Sequence, residues 1–221
     1  MYLTMQLAVR DISVSFGARR ALKDVTFTVP SQGRALLLGP SGSGKSTLLN
    51  TICGLQRPDQ GEVQLGEHHL VGPDGLAGAD QIRRGYMGII FQTLRLISAL
   101  DVRKNLLLAQ RLQNGASDPD LVDATLARLG LGDKAQARPF ELSQGEAQRA
   151  AIARALVVSP AILIADEPTS ALDHANTQIV AQLLIEAAET AGASLLIATH
   201  DERLMPFFER RIDLVDGRVS A

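Results

Sequence analysis

The sequence predicts one α/β domain over residues 1–221, with a parallel β-sheet core, an N-terminal antiparallel β subdomain and an inserted α-helical subdomain. Three patterns predict this fold class. Continuous apolar runs, typical of strands buried in parallel sheets, occur at 34–39, 87–91, 161–166 and 194–200. Residues 7–29 contain short alternating segments, and residues from about 100 to 158 have helical periodicity.

The first elements follow from short motifs. ISVSF and VTFTV, separated by GARR, predict antiparallel strands. RALLLG at 34–39 predicts a buried strand, and KSTLLNTICGL at 45–55 has the spacing of a helix. Residues 56–80 are rich in Gly, Pro, Asp and His around the strand EVQL, which predicts a surface hairpin and loop before the buried strand MGIIF.

The later elements begin with two amphipathic segments, DVRKNLLLAQRL and DPDLVDATLARLGL, which Asp101 and Asp118 are placed to cap. The strands AILIAD and SLLIATH follow, separated by a helix over about 175–191. IDLVDGRVS predicts a hairpin that turns at Asp216-Gly217. The domain is therefore expected to divide into a core, approximately 1–92 and 159–221, and a helical subdomain, approximately 93–158.

The composition restricts the environment and the partners of the chain. Twenty-two basic and 24 acidic residues give a net charge of −2, which argues against a broad nucleic-acid surface, so we expect no nucleic-acid partner. The single Cys53 lies among apolar residues, which predicts a buried thiol and a reducing compartment. We see no signal-peptide pattern and no apolar run of about 18 residues, so we expect another chain to supply any membrane part.

GPSGSGKST, between a predicted strand and a predicted helix, matches the phosphate-binding loop pattern (P-loop) G-x-x-x-x-G-K-[ST]. Its glycines let backbone N–H groups converge on phosphates, Lys45 adds a cation, and the Ser46 hydroxyl is a ligand for Mg²⁺. The alternative is a glycine-rich turn with an incidental lysine, which the flanking elements disfavour. The predicted nucleotide contacts are Gly39, Pro40, Ser41, Gly42, Ser43, Gly44, Lys45, Ser46 and Thr47.

Polar residues end three of the predicted core strands. Asp166 is placed to orient Mg²⁺ and Glu167 to polarise the attacking water, although two acids before a helix are often only its N-cap. Gln92 is a candidate for sensing Mg²⁺ or the water. His200 is a candidate for reaching the γ-phosphate, or an ordinary histidine at a strand end.

The stretch ELSQGE at 141–146 admits two interpretations. Ser143 and Glu146 fit a capping box, in which each side chain bonds the other residue's backbone N–H. The capping box does not require glycine at position 145, whereas a backbone that lies against a phosphate requires a residue without a side chain, such as Gly145. The Glu146 carboxylate would repel that phosphate unless the capping hydrogen bond or a cation holds it away.

Taken in order, GPSGSGKST, Gln92, LSQGE, ILIADE, SALD and His200 resemble the ATPase cassette of ABC transporters over essentially the whole chain. The resemblance implies a P-loop NTPase core that hydrolyses ATP with Mg²⁺, the ATP being sandwiched between two cassettes, here two copies of the chain. Ser143, Gly145 and Glu146 would face the ATP of the partner cassette, and SALD at 170–173 would contact that partner.

The resemblance makes Phe16 the aromatic that stacks on adenine, in place of the commoner Tyr. LSQGE departs from the usual LSGGQ at Gln144 and Glu146. The short form, with IIFQTLRLISAL after the hairpin, looks most like lipoprotein-releasing, macrolide-export and cell-division cassettes. It implies a cytoplasmic subunit, peripheral on the inner face of the membrane, with an integral-membrane permease as partner. QTLRLISAL contains more apolar residues than a surface loop needs, so we expect a permease helix to dock near Gln92 to Leu100; the alternative is that this segment belongs to the core.

Two other functions stay open. One is nucleotide-gated signalling across the membrane without cargo. The other is a soluble ABC-type ATPase acting on DNA or ribosomes, although the segment between Thr47 and Leu142 leaves no room for a long coiled-coil arm.

Overall fold

The structure is a computed structural model that describes residues 5–72, 75–76, 78–170 and 172–220, without the side chains of Asn114 and Ala175. The strands are β1 Leu7–Phe16, β2 Arg19–Val29, β3 Arg34–Leu38, β4 Gln60–Leu65, β5 His68–Val71, β6 Met87–Ile90, β7 Ile162–Asp166, β8 Ser194–Thr199, β9 Arg210–Val215 and β10 Arg218–Ser220. The α-helices are α1 Lys45–Ile52, α2 Ala79–Tyr86, α3 Val102–Asn114, α4 Pro119–Arg128, α5 Gln144–Leu156 and α6 His174–Ala191. Short 3₁₀ helices lie at Gly132–Lys134, Pro139–Glu141 and Glu202–Phe207.

The strands form two sheets. One is antiparallel, in the order β2-β1-β4-β5, and the other has the order β10-β9-β3-β8-β7-β6. The neighbours from β9 to β6 pair in parallel, while β10 pairs antiparallel with β9 at the edge. Helices α3, α4 and α5 lie between β6 and β7 in the chain. The predicted α/β class, with its antiparallel part and inserted helices, is confirmed; the subdomain boundaries remain a prediction.

The parallel sheet separates two hydrophobic cores. Leu36 and Leu38 of β3 pack with apolar residues of α3 to α6, while Ala35 and Leu37 pack with α1 and the antiparallel sheet. Because alternate side chains of a strand point to opposite faces, a strand covered on both faces must be apolar at every position. This is why the core strands read as continuous apolar runs.

Several local predictions are confirmed. The Asp101 carboxylate accepts a hydrogen bond from Lys104 N at 2.7 Å, and Asp118 accepts one from Leu121 N at 3.0 Å, so both residues cap helices. Cys53 is buried, and this burial raises the pKa of its thiol to about 12. Among the described residues, no helix has both the length and the apolar character needed to cross a membrane.

Two local predictions are wrong. The predicted loop gives way to α2 at Ala79; the sequence hid this helix because its segment is polar, contains Gly85 and fully buries only Ala79. Helical structure is also not continuous from 100 to 158, since turns and the first two 3₁₀ helices occupy 129–143. Gly130, at a φ of 65°, and the following Gly132 and Pro139 interrupt it there.

Candidate functional site

The P-loop connects the end of β3 to the start of α1, at the carboxyl edge of the parallel sheet. Gly44 caps α1 with a φ of 109°, a conformation that other residues rarely adopt. A Cβ atom on Gly39 would lie 2.3 Å from the Leu214 carbonyl oxygen. The first and last glycines of the loop are therefore required by its close packing against the fold.

The loop opens onto a pocket of about 520 Å³, a volume within the usual range of small-molecule sites. Phe16 stands at the pocket with 53% of its surface exposed, so one ring face is available to a planar ligand. The pocket is lined by Phe16, Arg19, Ala21, Ser41, Gly42, Gly44, Lys45, Ser46, Thr47, Gln92, Glu167 and His200. The structure thus brings together residues predicted from four separate motifs.

Lys45 and Glu167 form the charged centre of this pocket. The Lys45 ammonium donates to the carbonyl oxygens of Gly39 at 2.7 Å and Pro40 at 3.1 Å, and lies 3.4 Å from Glu167 Oε1. Thr199 Oγ1 donates to Glu167 Oε2 at 3.0 Å, and His200 Nδ1 lies 3.0 Å from Oε1. The carboxylate is therefore fixed in one orientation at the phosphate-binding loop.

The backbone at Glu167 explains how a residue just beyond β7 reaches the loop. Its φ is 49°, in the left-handed region that is costly for residues other than glycine. The Glu167 N–H donates to the Ala198 carbonyl of β8 at 2.8 Å, which ties the turn to the sheet. Strain of this kind persists only where surrounding contacts hold it, and here it turns the side chain into the pocket.

Asp166 lies behind the pocket and is only partly satisfied. Burial raises the pKa of its carboxyl group, and the nearby Glu167 adds to that rise, while a hydrogen bond with Ser46 opposes it. Asp166 Oδ1 is buried, and no group in the described part of the chain forms a hydrogen bond with it. A buried carboxylate oxygen beside a serine hydroxyl fits the oxygen ligands of a hard divalent cation, so these two residues meet the requirements of a Mg²⁺ site.

The structure also tests the helix-cap interpretation of Asp166 and Glu167. The next helix, α6, is capped by Asp173, whose carboxylate accepts from Asn176 N at 2.8 Å. Neither acid of the ILIADE motif performs that role. The predicted contact loop SALD includes Ala171, which lies outside the described residues.

The LSQGE loop lies apart from the pocket and forms a complete capping box. Ser143 Oγ accepts from Glu146 N at 3.3 Å, and Glu146 Oε2 accepts from Ser143 N at 2.7 Å. A Cβ atom added to Gly145 would meet only Arg149 Nη1, at 3.7 Å. Packing within the chain therefore does not require glycine at this position.

Sequence reasoning missed three residues at the pocket. Arg19 and Ala21 line it, and Thr199 orients Glu167. Arg19 pairs with Phe16 across the β1–β2 turn, so its position follows from the hairpin register, whereas Thr199 is simply the residue before His200. The ATH sequence contained this signal, but a lone threonine at a strand end is too common to single out.

A larger cavity, of about 840 Å³, lies beside α2 and the connection between α3 and α4. Its carboxamides are used by the fold: Gln110 donates to the Val157 carbonyl and Gln113 to the Val158 carbonyl. It contains no residue of the P-loop or of the ILIADE motif. The smaller pocket, with its ammonium, carboxylates and glycine-rich backbone, is the better candidate for chemistry.

Comparison with known proteins agrees with this geometry. The ABC transporter family model matches residues 22–170. The lipoprotein-releasing system ATP-binding protein LolD of Anaeromyxobacter dehalogenans is 40% identical, covering 90% of the chain and 84% of the relative. The LolD protein of Hydrogenovibrio crunogenus is 36% identical, covering 89% and 86%.

A solved structure described as a dimeric ATP-binding cassette in a post-hydrolysis state, bound to ADP and Pi, superimposes with a TM-score of 0.85. It is 33% identical, and the match covers 97% of each chain. Because the family model spans more than half of the sequence and these relatives match along nearly all of it, the chain belongs to the ABC transporter family, as an ATP-binding and ATP-hydrolysing subunit.

Proposed function

We propose that this chain hydrolyses Mg²⁺-ATP as one of two identical subunits and couples closure of that dimer to a membrane permease. The observation that carries the proposal is the Glu167 carboxylate, held beside the P-loop by Lys45, Thr199 and His200. A carboxylate in a fixed orientation next to a phosphate site is suited to polarising a water molecule for attack on the γ-phosphate.

Within one cassette, the base of ATP stacks on Phe16 and the P-loop amides bind its phosphates. Lys45, which now donates to two loop carbonyls, turns its ammonium to the β- and γ-phosphates. Asp166, Ser46 and Gln92 are the residues that would hold Mg²⁺, which would supply charge neutralisation at the phosphates. His200 steadies Glu167 and contacts the γ-phosphate.

Hydrolysis requires a second copy because one chain places its two anion-binding elements apart. Ser143 and Gly145 are absent from the lining of the P-loop pocket. A symmetric dimer lets the LSQGE loop of each copy cover the γ-phosphate bound by the other, since a symmetric interface pairs each patch with its counterpart. The dimeric cassette structure that matches this chain supports such an arrangement.

Replacing Glu167 by Gln tests the catalytic assignment. The amide keeps the shape of the side chain but cannot accept a proton, so we expect ATP binding to persist and turnover to fall by about 100-fold or more. Turnover is measured by phosphate release, binding by equilibrium dialysis, and an ATP-trapped dimer by light scattering. The matched control is Glu209→Gln, at an exposed acid outside the pocket. Turnover within twofold of the control would assign the role to another group.

The permease is proposed to dock in an arginine groove of about 370 Å³. The groove carries positive charge that is not neutralised: no carboxylate of the described residues forms a salt bridge with Arg84, Arg95 or Arg154. Burial and the neighbouring Arg95 lower the pKa of Arg154. Leu112, 60% exposed, adds an apolar wall. The groove is lined by Leu55, Arg83, Arg84, Met87, Gly88, Ile89, Phe91, Arg95, Ala109, Leu112, Gln113, Arg154, Ala155 and Val158.

Cations beside exposed apolar side chains fit an acidic amphipathic helical segment of the permease. Of the predicted docking segment, Gln92 to Leu100, only Arg95 lines the groove. Leu96 packs against the core, whereas Ile97 is 45% exposed and is held by Asn105, which bonds both its N–H and its carbonyl. Only the exposed part of that segment is available to a partner.

A further inference from the structure

The LSQGE loop contains a negative charge where an anion is proposed to dock. Glu146 follows Gly145 directly, and hydrogen bonds from the backbone and hydroxyl of Ser143 hold the pKa of its carboxyl group below the usual value. Glu146 is therefore ionised at neutral pH. An uncompensated carboxylate at this position would repel the polyphosphate of ATP held by a second copy.

The structure supplies a cation for that carboxylate. Lys134 Nζ lies 3.4 Å from Glu146 Oε1. The other oxygen, Oε2, accepts from Ser143 N at 2.7 Å and from Ser143 Oγ at 2.8 Å. Both carboxylate oxygens are thus engaged within the chain.

Backbone hydrogen bonds hold the short 3₁₀ helix Gly132–Lys134. Lys134 N donates to the Leu131 carbonyl at 3.0 Å, and the Lys134 carbonyl accepts from Ala137 N at 3.0 Å. These hydrogen bonds do not use the Lys134 side chain, so its ammonium is available for an electrostatic role. The Lys134 and Glu146 side chains are 37% and 20% exposed, and an ion pair this close to solvent adds only modestly to folding stability.

We propose that Lys134 is a positioning residue for the LSQGE loop: it neutralises the Glu146 carboxylate, which Ser143 holds in place, and so removes the repulsion that would keep the γ-phosphate of ATP bound to a second copy away from Ser143 and Gly145. The Arg149 guanidinium, next to Gly145, is a second cation near the position where the γ-phosphate would approach the loop. This inference rests on the proposed function, because it assumes an ATP-closed dimer.

The test is a double-mutant cycle in a Glu167→Gln background, which slows hydrolysis so that dimers accumulate. Lys134→Ala, Glu146→Gln and the combined variant are compared with the parent by light scattering over an ATP titration. We expect Lys134→Ala to weaken ATP-driven dimerisation by about tenfold, because the repulsion acts at both sites of a dimer. In the Glu146→Gln background the same substitution has no effect. ATP binding by the monomer, measured by equilibrium dialysis, stays the same in all four proteins.

The control is Lys104→Ala, which removes one charge from a comparable lysine–carboxylate pair on α3, with Lys104 Nζ 2.6 Å from Asp101 Oδ2. We expect it to dimerise like the parent. The Lys134→Ala defect should also shrink at about 1 M salt, because screening weakens repulsion between exposed charges, whereas a misfolded loop would not recover.

The outcomes separate the two proposals. Unchanged dimerisation of Lys134→Ala, or an equal loss with and without Glu146, overturns the inference while the proposed function stands. If ATP binds but drives no dimerisation even in the parent, the proposed function fails, and the inference fails with it.

Discussion

At the scale of single residues, Asp166 is maintained at a cost to folding. Its pKa is raised by burial and by the adjacent Glu167, and Oδ1 has no partner. For an acid whose pKa is higher in the folded state, stability is highest below the ordinary pKa of 3.8 and falls as the pH rises through the folded value. At neutral pH the ionised carboxylate therefore opposes folding, and its proposed role as a cation ligand gives a reason for its presence.

Asp166→Asn should consequently stabilise the nucleotide-free protein. In the presence of EDTA we expect a melting temperature higher by the order of 2 °C at pH 7.5, because the amide carries no charge to desolvate. The gain should diminish as the pH falls towards 4. Mg²⁺-ATP should stabilise the parent more than the variant. The exposed Asp59→Asn provides the comparison, and a variant that melts at or below the parent at pH 7.5 would contradict the argument.

The limits of sequence reasoning are clearest at Thr199 and Glu167. The motif ILIADE identified the acid, because adjacent carboxylates after an apolar run are rare enough to notice. Nothing in the motif revealed the left-handed backbone of Glu167 or its hydrogen bond from Thr199. Both depend on β7 and β8 being neighbours in the sheet, a pairing between strands separated by a whole helix.

At the scale of elements, prediction succeeded where periodicity was strong. The core strands, α3, α4 and α6 each bury a face that the sequence displays as an apolar pattern. Helix α2 lacks such a face, and the region between α4 and α5 is built from turns whose spacing resembles helix. Elements that are held mainly by local hydrogen bonds bury few apolar side chains, so their sequences show only a weak apolar pattern.

The start of α5 separates its two interpretations by a single substitution. Gly145→Ala should stabilise the nucleotide-free monomer by about 0.5 to 1 kcal/mol, because alanine is favoured over glycine inside a helix and the chain leaves room for the methyl group. If a γ-phosphate lies against this backbone in the dimer, the same methyl group obstructs closure. Chemical denaturation measures the first effect, and ATP-dependent dimerisation in a Glu167→Gln background measures the second.

Gly115→Ala is the control for that experiment. A Cβ atom on Gly115 would also have room, but Gly115 lies at the end of α3 with a φ of 74°, which alanine rarely adopts. We expect that variant to be destabilised without any separate effect on dimerisation. Undiminished dimerisation of Gly145→Ala would leave the helix cap as the only role of this stretch.

At the scale of the whole molecule, the arginine groove predicts where a partner meets the cassette. Cysteines introduced at Ile97 or Leu112 should crosslink to a co-expressed permease encoded beside this gene. Ile179→Cys on α6 is the matched control, because Ile179 is 59% exposed and lies outside the groove. The native Cys53 is 2% exposed and should contribute no background. Leu112 lies in the groove and Ile97 in the predicted docking segment, so crosslinking from Ile179 equal to that from these two positions would place the docking surface elsewhere.

The same strand order that builds the catalytic pocket also dictates when the pocket can exist during synthesis. Strand β3, which precedes the P-loop, pairs only with β8 and β9 among the described strands. Of those strands, only β10, the hairpin partner of β9, is translated after them. A nascent chain emerging from the ribosome therefore carries the glycine-rich loop on a strand whose hydrogen-bonding edges stay unpaired until β8 and β9, both in the final quarter of the chain, have been translated. Glu167 and His200 can meet only once β8 has been made, so the complete pocket forms late, and protection of β3 by chaperones is most needed before that point.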